Sequence, residues 1–325
     1  MSFALLAGCA PLYAQSGRRK LPPEARPRQG PSVSTPSELP TPARGEIGDD
    51  EVLRIDSNLV PILAAVVDAQ GRAITDLKLE DFELRVDGEV KPISDLARSE
   101  TPVRLAMLFD NSGSLMSARE FEKQAAIRFF RSVMRPVDQA AIFSVATDSA
   151  LVQPMTSDVK ALVRTIELFG RPEGGTALLE ALVQAAQYLQ PQPGRKVIVI
   201  VSDGADTLSP LEFQAVLRAV QVANCQIYAV QTGHSENANL RDLMAEYRLQ
   251  ELTAQTGGAL YVPKSAKDLD AAFAQIAADL AQQYILSYYS SDDQRDGRFR
   301  IITLRVPGRA GARVRARKGY YAPKS

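Results

Sequence analysis

Histidine is almost absent from this 325-residue chain: there is one, His234, and there is no tryptophan. An imidazole-activated nucleophile, a His-rich zinc site or a haem would each have to rest on that single residue, which reads as an exposed loop position. Cysteine is nearly as scarce. Cys9 and Cys225 cannot build a disulfide framework, and Cys225, set in the strand-like run VANCQIYAV, reads as an inert core thiol. An excess of one charge is missing too. The 38 Lys+Arg balance 38 Asp+Glu, so nothing argues for a nucleic-acid partner. The apolar stretch at residues 3–14 is far too short to cross a bilayer as a helix.

What is there falls into segments. Residues 3–14, FALLAGCAPLYA, end in small residues before the polar QSGRRK and read as the tail of an export signal covering residues 1–14. Cleavage after Ala14 would release a soluble exported protein. Alternatively, Leu6-Ala7-Gly8-Cys9 resembles the lipobox of bacterial lipoproteins and would put a lipid on Cys9, so the expected location is periplasmic, secreted or lipid-anchored at the cell envelope. Residues 15–48 carry Pro22, Pro23, Pro27, Pro31, Pro36, Pro40 and Pro42 with few apolar side chains, the composition of a disordered or extended tether.

Residues 51–101 change character to strand patterns, with a turn at Asp68–Gly71 and a hairpin signal at Asp87-Gly88. Residues 103–282 alternate short apolar strands with amphipathic helices. The strands are RLAMLF, AAIFSVA, KVIVIVS, QIYAVQT and ALYV. One helix places Leu179, Leu182, Ala186 and Leu189 on a single face. A second, SPLEFQAVLRAV, opens with Ser209 as cap, Pro210 at the first position and Glu212 as capping-box acid. A third, capped by Ser265, presents Leu269, Ala272, Phe273, Ile276 and Leu280. This alternation predicts an α/β domain with a doubly wound, mostly parallel sheet. Residues 283–322 return to strands. Neither β-rich flank has enough strands to stand alone, so the economical expectation is one small β-sandwich built from both flanks, with the α/β domain inserted between them.

The chemistry concentrates at AMLFDNSGSLMS, residues 106–117. An apolar strand ends at Asp110, followed by Ser112 and Ser114. A serine nucleophile needs a base, and GxSxG is absent. A phosphate loop needs more glycine and a lysine, and a haloacid-type phosphotransferase needs Asp where Ser112 stands. A polar turn before a helix is the plain alternative. Oxygen-rich loops recur, however, at Gly174-Gly175-Thr176 and at Ser202-Asp203-Gly204-Ala205-Asp206. In an open α/β sheet such loops converge beyond the carboxyl ends of the strands. Asp110, Ser112, Ser114, Thr176 and Asp203 would then form a set of hard oxygen donors suited to Mg²⁺ or a similar divalent cation.

This set resembles the metal-ion-dependent adhesion site of von Willebrand factor A domains at all five positions: Asp110-x-Ser112-x-Ser114, Thr176 in a GGT context and Asp203 in SDG. The flanks, from VPILAAVVDAQGRAI to ARKGYYAP, are similar to those of bacterial von Willebrand factor A-related proteins. The resemblance implies that Ser112, Ser114 and Thr176 coordinate the metal, that Asp110 and Asp203 act directly or through water, and that Mg²⁺, or Mn²⁺ or Ca²⁺, is the cofactor. It implies an exported binding module, not an enzyme, whose cation takes a carboxylate from a partner protein. The rival expectations are a metal-dependent hydrolase and an assembly partner of an ATPase complex. Elsewhere, Asp148 reads as a hairpin-turn acid and Asp206 as either a loop residue or a support to the site. Arg313, Arg315 and Arg317 read as one wet strand face, and Tyr288, Tyr289, Tyr320 and Tyr321 as strand-packing aromatics.

Overall fold

The computed structural model describes residues 58–98, 100–113, 119–232, 240–290 and 296–324. The export-signal and tether expectations, Ser114 and His234 lie outside them. The first flank forms β1 (Asn58–Val67), β2 (Glu83–Val86), β3 (Glu89–Lys91) and β4 (Asp95–Arg98), with a single 3-10 turn at Leu79–Asp81. The Asp68 carboxylate accepts the N–H groups of Gln70 and Arg72, each at 2.9 Å, and closes the turn after β1. Asp87 and Gly88 sit at φ 50° and 86°. These are the two left-handed positions that a two-residue hairpin of matching twist requires, and Asp and Gly are among the residues that tolerate them.

The central segment runs β5 (Val103–Asp110), α1 (Arg119–Val133), β6 (Gln139–Val145), β7 (Ser149–Thr156), α2 (Val159–Leu168), α3 (Leu178–Leu189), β8 (Arg195–Ser202), α4 (Phe213–Val222), β9 (Cys225–Gln231), α5 (Leu240–Thr256), β10 (Leu260–Tyr261) and α6 (Ala266–Gln282). Its sheet has the order β10-β9-β8-β5-β6-β7, parallel except where β7 returns antiparallel beside β6. Asp148 lies in the connection of that β6–β7 hairpin. The strands are apolar at nearly every position because helices cover both faces. Alternation along β5 divides the core. Leu105, Met107 and Phe109 pack with α1, α2 and α6, whereas Ala106 and Leu108 pack with α3, α4 and α5. Cys225 is buried, and burial pushes its thiol up to about 12, consistent with an inert core position.

Two caps were expected and one is found. Ser265 accepts the N–H of Asp268 at 3.2 Å and starts α6. Ser209 does not start α4, which begins only at Phe213. Its hydroxyl instead accepts the N–H of Glu180 in the first turn of α3, at 3.2 Å. The residue serves a neighbouring helix because the chain after β8 runs across α3 before turning into α4.

The second flank forms β11 (Tyr284–Ser290), β12 (Phe299–Arg305), β13 (Arg313–Ala316) and β14 (Gly319–Tyr321). Two four-stranded antiparallel sheets result, β13-β1-β11-β4 and β14-β12-β2-β3, each drawing strands from both flanks. Ile62, Val66, Leu84, Val86, Leu286, Tyr288, Ile302 and Tyr320 share their common core. The run ARVRARKGYY does not form one strand. It breaks at Arg317-Lys318 because β13 pairs with β1 and β14 with β12, in different sheets.

The arginine stripe on this run corrects the sequence expectation. Arg313 is exposed, but Arg315 reaches Asp279 on α6 at 2.7 Å, and Arg317 donates to the Asn224 side chain at 2.6 Å and the Pro61 carbonyl at 2.8 Å. The face that looked wet is the seam with the α/β domain. Gly257, at φ +82°, belongs to the same seam: an added Cβ there would stand 2.5 Å from the Arg317 amide nitrogen. Tyr288 and Tyr320 are buried and share a hydroxyl–hydroxyl bond of 2.6 Å, and Tyr321 packs on Phe299, while Tyr289 is exposed.

Candidate metal centre

The sheet reverses its winding at β5: the chain passes to β6 on one side and later to β8 on the other. Loops leaving strand ends at such a point diverge and leave a crevice. Asp110 is the last residue of β5, beside Val145 on β6, and its neighbour Phe109 pairs with Val201 on β8. This register puts Ser202, and Asp203 after it, next to Asp110. One Asp110 oxygen accepts the Ser202 hydroxyl at 2.5 Å and the other accepts the Ser112 N–H at 2.8 Å.

The remaining loops are stitched to this centre by main-chain bonds. Gly113 N–H donates to Gly174 at 3.2 Å and Glu173 N–H to Asn111 at 3.0 Å. Thr176 N–H donates to the Thr207 hydroxyl at 2.9 Å, and its carbonyl accepts the Thr207 N–H, also at 2.9 Å. Asp203 accepts the Ala205 N–H at 2.9 Å. The structure therefore brings together four of the five expected residues, Asp110, Ser112, Thr176 and Asp203. Asp110, Ser112 and Thr176 are buried and Asp203 is partly exposed. Asp206 accepts the Ser209 N–H at 3.3 Å and supports its own loop.

Electrostatics at this point disfavour a bare negative charge on Asp110. Asp110 is 1 % exposed. Burial raises its pKa, the bonds from Ser202 and Ser112 oppose the rise, and the charge of Asp203 adds to it. The neighbouring guanidinium, Arg119, attracts this charge but donates no hydrogen bond to the carboxylate. Arg119 donates to the Asp110 backbone carbonyl at 2.6 Å and to the Asn111 side chain, and lies over the rings of Phe109 and Phe169 at 4.6 and 5.2 Å. Two carboxylates and neutral hydroxyls, with no imidazole or thiol, form a donor set for a hard cation such as Mg²⁺. Among the described residues, no group of three or more His, Cys, Asp or Glu side chains is arranged to hold a metal ion, so any such site here must draw on hydroxyls.

One residue of this region was missed in the sequence. Glu122, in the first turn of α1, is 1 % exposed, and among the described residues neither of its carboxylate oxygens has a hydrogen-bond partner. Burial pushes its pKa up to about 7; Thr232 and Arg119 favour its charged form, and Asp110 and Asp203 disfavour it. Thr232 lies near enough to exert that influence, yet its hydroxyl also lacks a hydrogen-bond partner. A glutamate near a helix N-terminus looks like a solvated, dipole-favoured acid, so no local signal marks it.

No curated protein matches the chain. Several solved structures overlap with it at low identity. A von Willebrand factor type A protein from Catenulispora acidiphila aligns with a TM-score of 0.48 at 11% identity, over 84% of this chain and 75% of that one. An aerotolerance-related membrane protein from Bacteroides fragilis aligns with a TM-score of 0.45 at 20% identity, over 55% and 98%. The pilus adhesin SpaC from Lactobacillus rhamnosus GG aligns with a TM-score of 0.46 at 11% identity, over 75% and 48%. These are likenesses of shape and assign no binding property. Residues 105–205 match the family model of the von Willebrand factor type A domain. That span holds most of β5 with β6 and β8, together with Asp110, Ser112, Thr176 and Asp203, and by this match this segment of the chain is a von Willebrand factor type A domain.

Proposed function

We propose that this chain is an exported, cation-dependent protein-binding module rather than an enzyme. In this reading Asp110, Ser112, Ser114, Thr176 and Asp203 hold Mg²⁺ or a related divalent cation, which supplies an electrophilic point for a carboxylate of a partner protein. Hydroxyl ligands leave most of the ionic charge unneutralised, so an acidic side chain is the matching outside ligand. The observation that carries the reading is the buried Asp110 carboxylate, which among the described residues accepts hydrogen bonds from hydroxyl and amide donors and from no cationic side chain.

A second feature favours a protein as the ligand. In its first two turns, α5 leaves Leu240, Leu243, Met244 and Tyr247 exposed on one stripe, and Met244 adjoins Asp206 and Thr207 of the loop that follows Asp203. Exposed apolar side chains grouped beside a polar site mark contact surfaces for other proteins. No helix among the described residues is long and apolar enough to cross a membrane. Envelope attachment would therefore depend on the N-terminal segment.

Thermal melting with and without cation tests the site. At a cation concentration of about 100 Kd, binding adds about 2.7 kcal/mol, which for a body of this size is a rise of roughly 5–10 °C. Mg²⁺ or Mn²⁺ should give that rise in the wild type, and Asp110→Ala should abolish it. An equal rise in Asp110→Ala would overturn the assignment.

A further inference from the structure

A cavity of about 560 Å³ lies where the β-sandwich meets the α/β domain, at the opposite end of β8 from Ser202. We infer that it is a binding site for a small organic anion, a sulfonate, phosphate or carboxylate on an apolar body, and that Arg317, Lys196 and Arg195 supply its positive charge. The inference is independent of the cation-binding reading above, which concerns the other end of the sheet.

Three observations converge. First, the charge in the cavity wall has one sign. Arg195, Lys196 and Arg317 line it, and no Asp or Glu does. Second, the two guanidiniums are held in place without a carboxylate. Arg317 donates to the Asn224 side-chain oxygen at 2.6 Å and to the Pro61 carbonyl at 2.8 Å. Arg195 donates to the Gln283 side-chain oxygen at 3.1 Å and to the Leu280 carbonyl at 2.8 Å. All these acceptors are neutral, and neither Nε has a partner among the described residues. Arg195 is 5% exposed, while Arg317 and Lys196 are partly exposed and open to a ligand. Burial pushes the pKa of both guanidiniums down to about 10, and an opposite charge beside them would relieve that cost. Third, hydrogen bonds and sheet register hold the three residues at one corner. Gln283, which accepts from Arg195, donates to the Gln226 side chain at 3.0 Å. Gln226 follows Cys225, the residue that pairs with Lys196 across β8 and β9. Asn224, which accepts from Arg317, precedes Cys225.

The rest of the wall fixes the kind of anion. Leu59, Leu63, Ile285, Tyr320 and Tyr321 line the same cavity. Apolar walls with a few charged groups, at several hundred Å³, are the usual form of a small-molecule site. An inorganic ion would leave those apolar side chains uncovered, whereas an organic anion covers them and meets the basic groups at once.

The test is calorimetric titration of the full chain, at low salt, with naphthalene-2-sulfonate and with its neutral isostere naphthalene-2-sulfonamide. The sulfonate should bind about 10-fold or more tighter than the sulfonamide, the value of hydrogen bonds to a charged group. Lys196→Gln and Arg317→Gln should each weaken the sulfonate about 10-fold and leave the sulfonamide unchanged. Lys196→Gln carries the test if Arg317→Gln does not fold, because among the described residues no hydrogen bond or ion pair depends on the Lys196 ammonium. Arg313→Gln removes an exposed arginine outside the cavity and should change nothing. Inorganic phosphate should compete only at a concentration about 100-fold higher, since it covers none of the apolar wall. Absence of sulfonate binding, equal affinity for the sulfonamide, or an unchanged Kd in Lys196→Gln overturns the inference. So does an equal loss in Arg313→Gln, which would mark general surface charge, and phosphate as potent as the sulfonate, which would mark a site for inorganic ions.

Discussion

The ion pair between Arg315 on β13 and Asp279 on α6 joins the β-sandwich to the α/β domain, and Arg315→Met should expose what it contributes. The pair measures 2.7 Å, with side chains 24% and 1% exposed. Burial outweighs the guanidinium at Asp279 and leaves its pKa raised. At Arg315, burial pulls downward but Asp279 and Tyr261 hold the pKa above its ordinary value. The pair therefore offsets a desolvation cost instead of adding a surplus, and removing one member strands the other. Orphaning a buried charge costs about 3–5 kcal/mol. The lower end applies here, because Gln275 at 3.2 Å and Tyr261 at 3.4 Å still reach the carboxylate. That is a fall of roughly 6–12 °C in Tm, readable by calorimetry and by urea denaturation. The deficit should shrink as the pH falls toward 4, since the folded variant takes up a proton at Asp279 that the unfolded chain releases down to about 3.8. Arg315→Met with Asp279→Leu should recover to within about 1 kcal/mol of wild type. A single-variant loss below about 1 kcal/mol, the value of an exposed pair, would refute the reasoning. So would a double variant as unstable as the single.

Two further predictions concern the frame that holds the site. Asp138 is buried between Arg135 and the start of β5, accepting the Val103 N–H at 2.7 Å and the Arg135 N–H at 3.0 Å. Asp138→Ala should cost about 2–3 kcal/mol in urea denaturation at pH 7 by leaving these donors unpaired. Burial works to raise the Asp138 pKa, but Arg135 and these N–H groups bring it below 3.8, so the contribution is complete above that pH and disappears as acid titrates the folded carboxylate. The wild type should therefore lose more stability below pH 4 than Asp138→Ala does, and parallel acid-denaturation curves would contradict this. Gly258→Ala would place a Cβ 1.8 Å from the Ile227 carbonyl oxygen. It should destabilise by about 3 kcal/mol or more, and a melting point within 2–3 °C of wild type, under about 1 kcal/mol at this size, would contradict that close approach.

Much of the fold was legible because burial on both sides of a strand leaves a signature in consecutive residues. RLAMLF and KVIVIV are apolar after their first residues, Arg104 and Lys196, because helices cover both faces of the sheet. The hairpin at Asp87-Gly88 was legible for a similar local reason, since few residues adopt its two positive φ angles. Helix α5 was harder. Its exposed stripe of Leu240, Leu243, Met244 and Tyr247 competes with its buried Leu249 and Leu252, so no single face stands out. The start of α4 was misplaced for another reason. Ser209 has the chemistry of a cap, but the N–H it serves belongs to Glu180, 29 residues away.

The two larger misreadings share one cause. The alternation of Arg313, Arg315 and Arg317 correctly says that these side chains share a face, but nothing in a period of two says what that face meets. Its partner, Asp279, lies 36 residues earlier on a helix of the other domain. Glu122 repeats the problem with the opposite sign of charge. Its place in the first turn of α1 suits a solvated acid, yet it is buried, and a residue that influences its charge, Thr232 after β9, lies 110 positions later in the chain. Asp110 itself was legible because its neighbours in the sequence are hydroxyl residues at the end of an unmistakable strand. Local pattern thus identifies polar groups placed at strand ends, where the topology must gather them. It does not identify those whose burial is decided by elements that arrive later in the chain. For a site built from charge, that second class matters as much as the first, because a buried acid with no donor has to be neutralised, by its own proton or by a neighbouring positive charge, wherever it lies in the sequence.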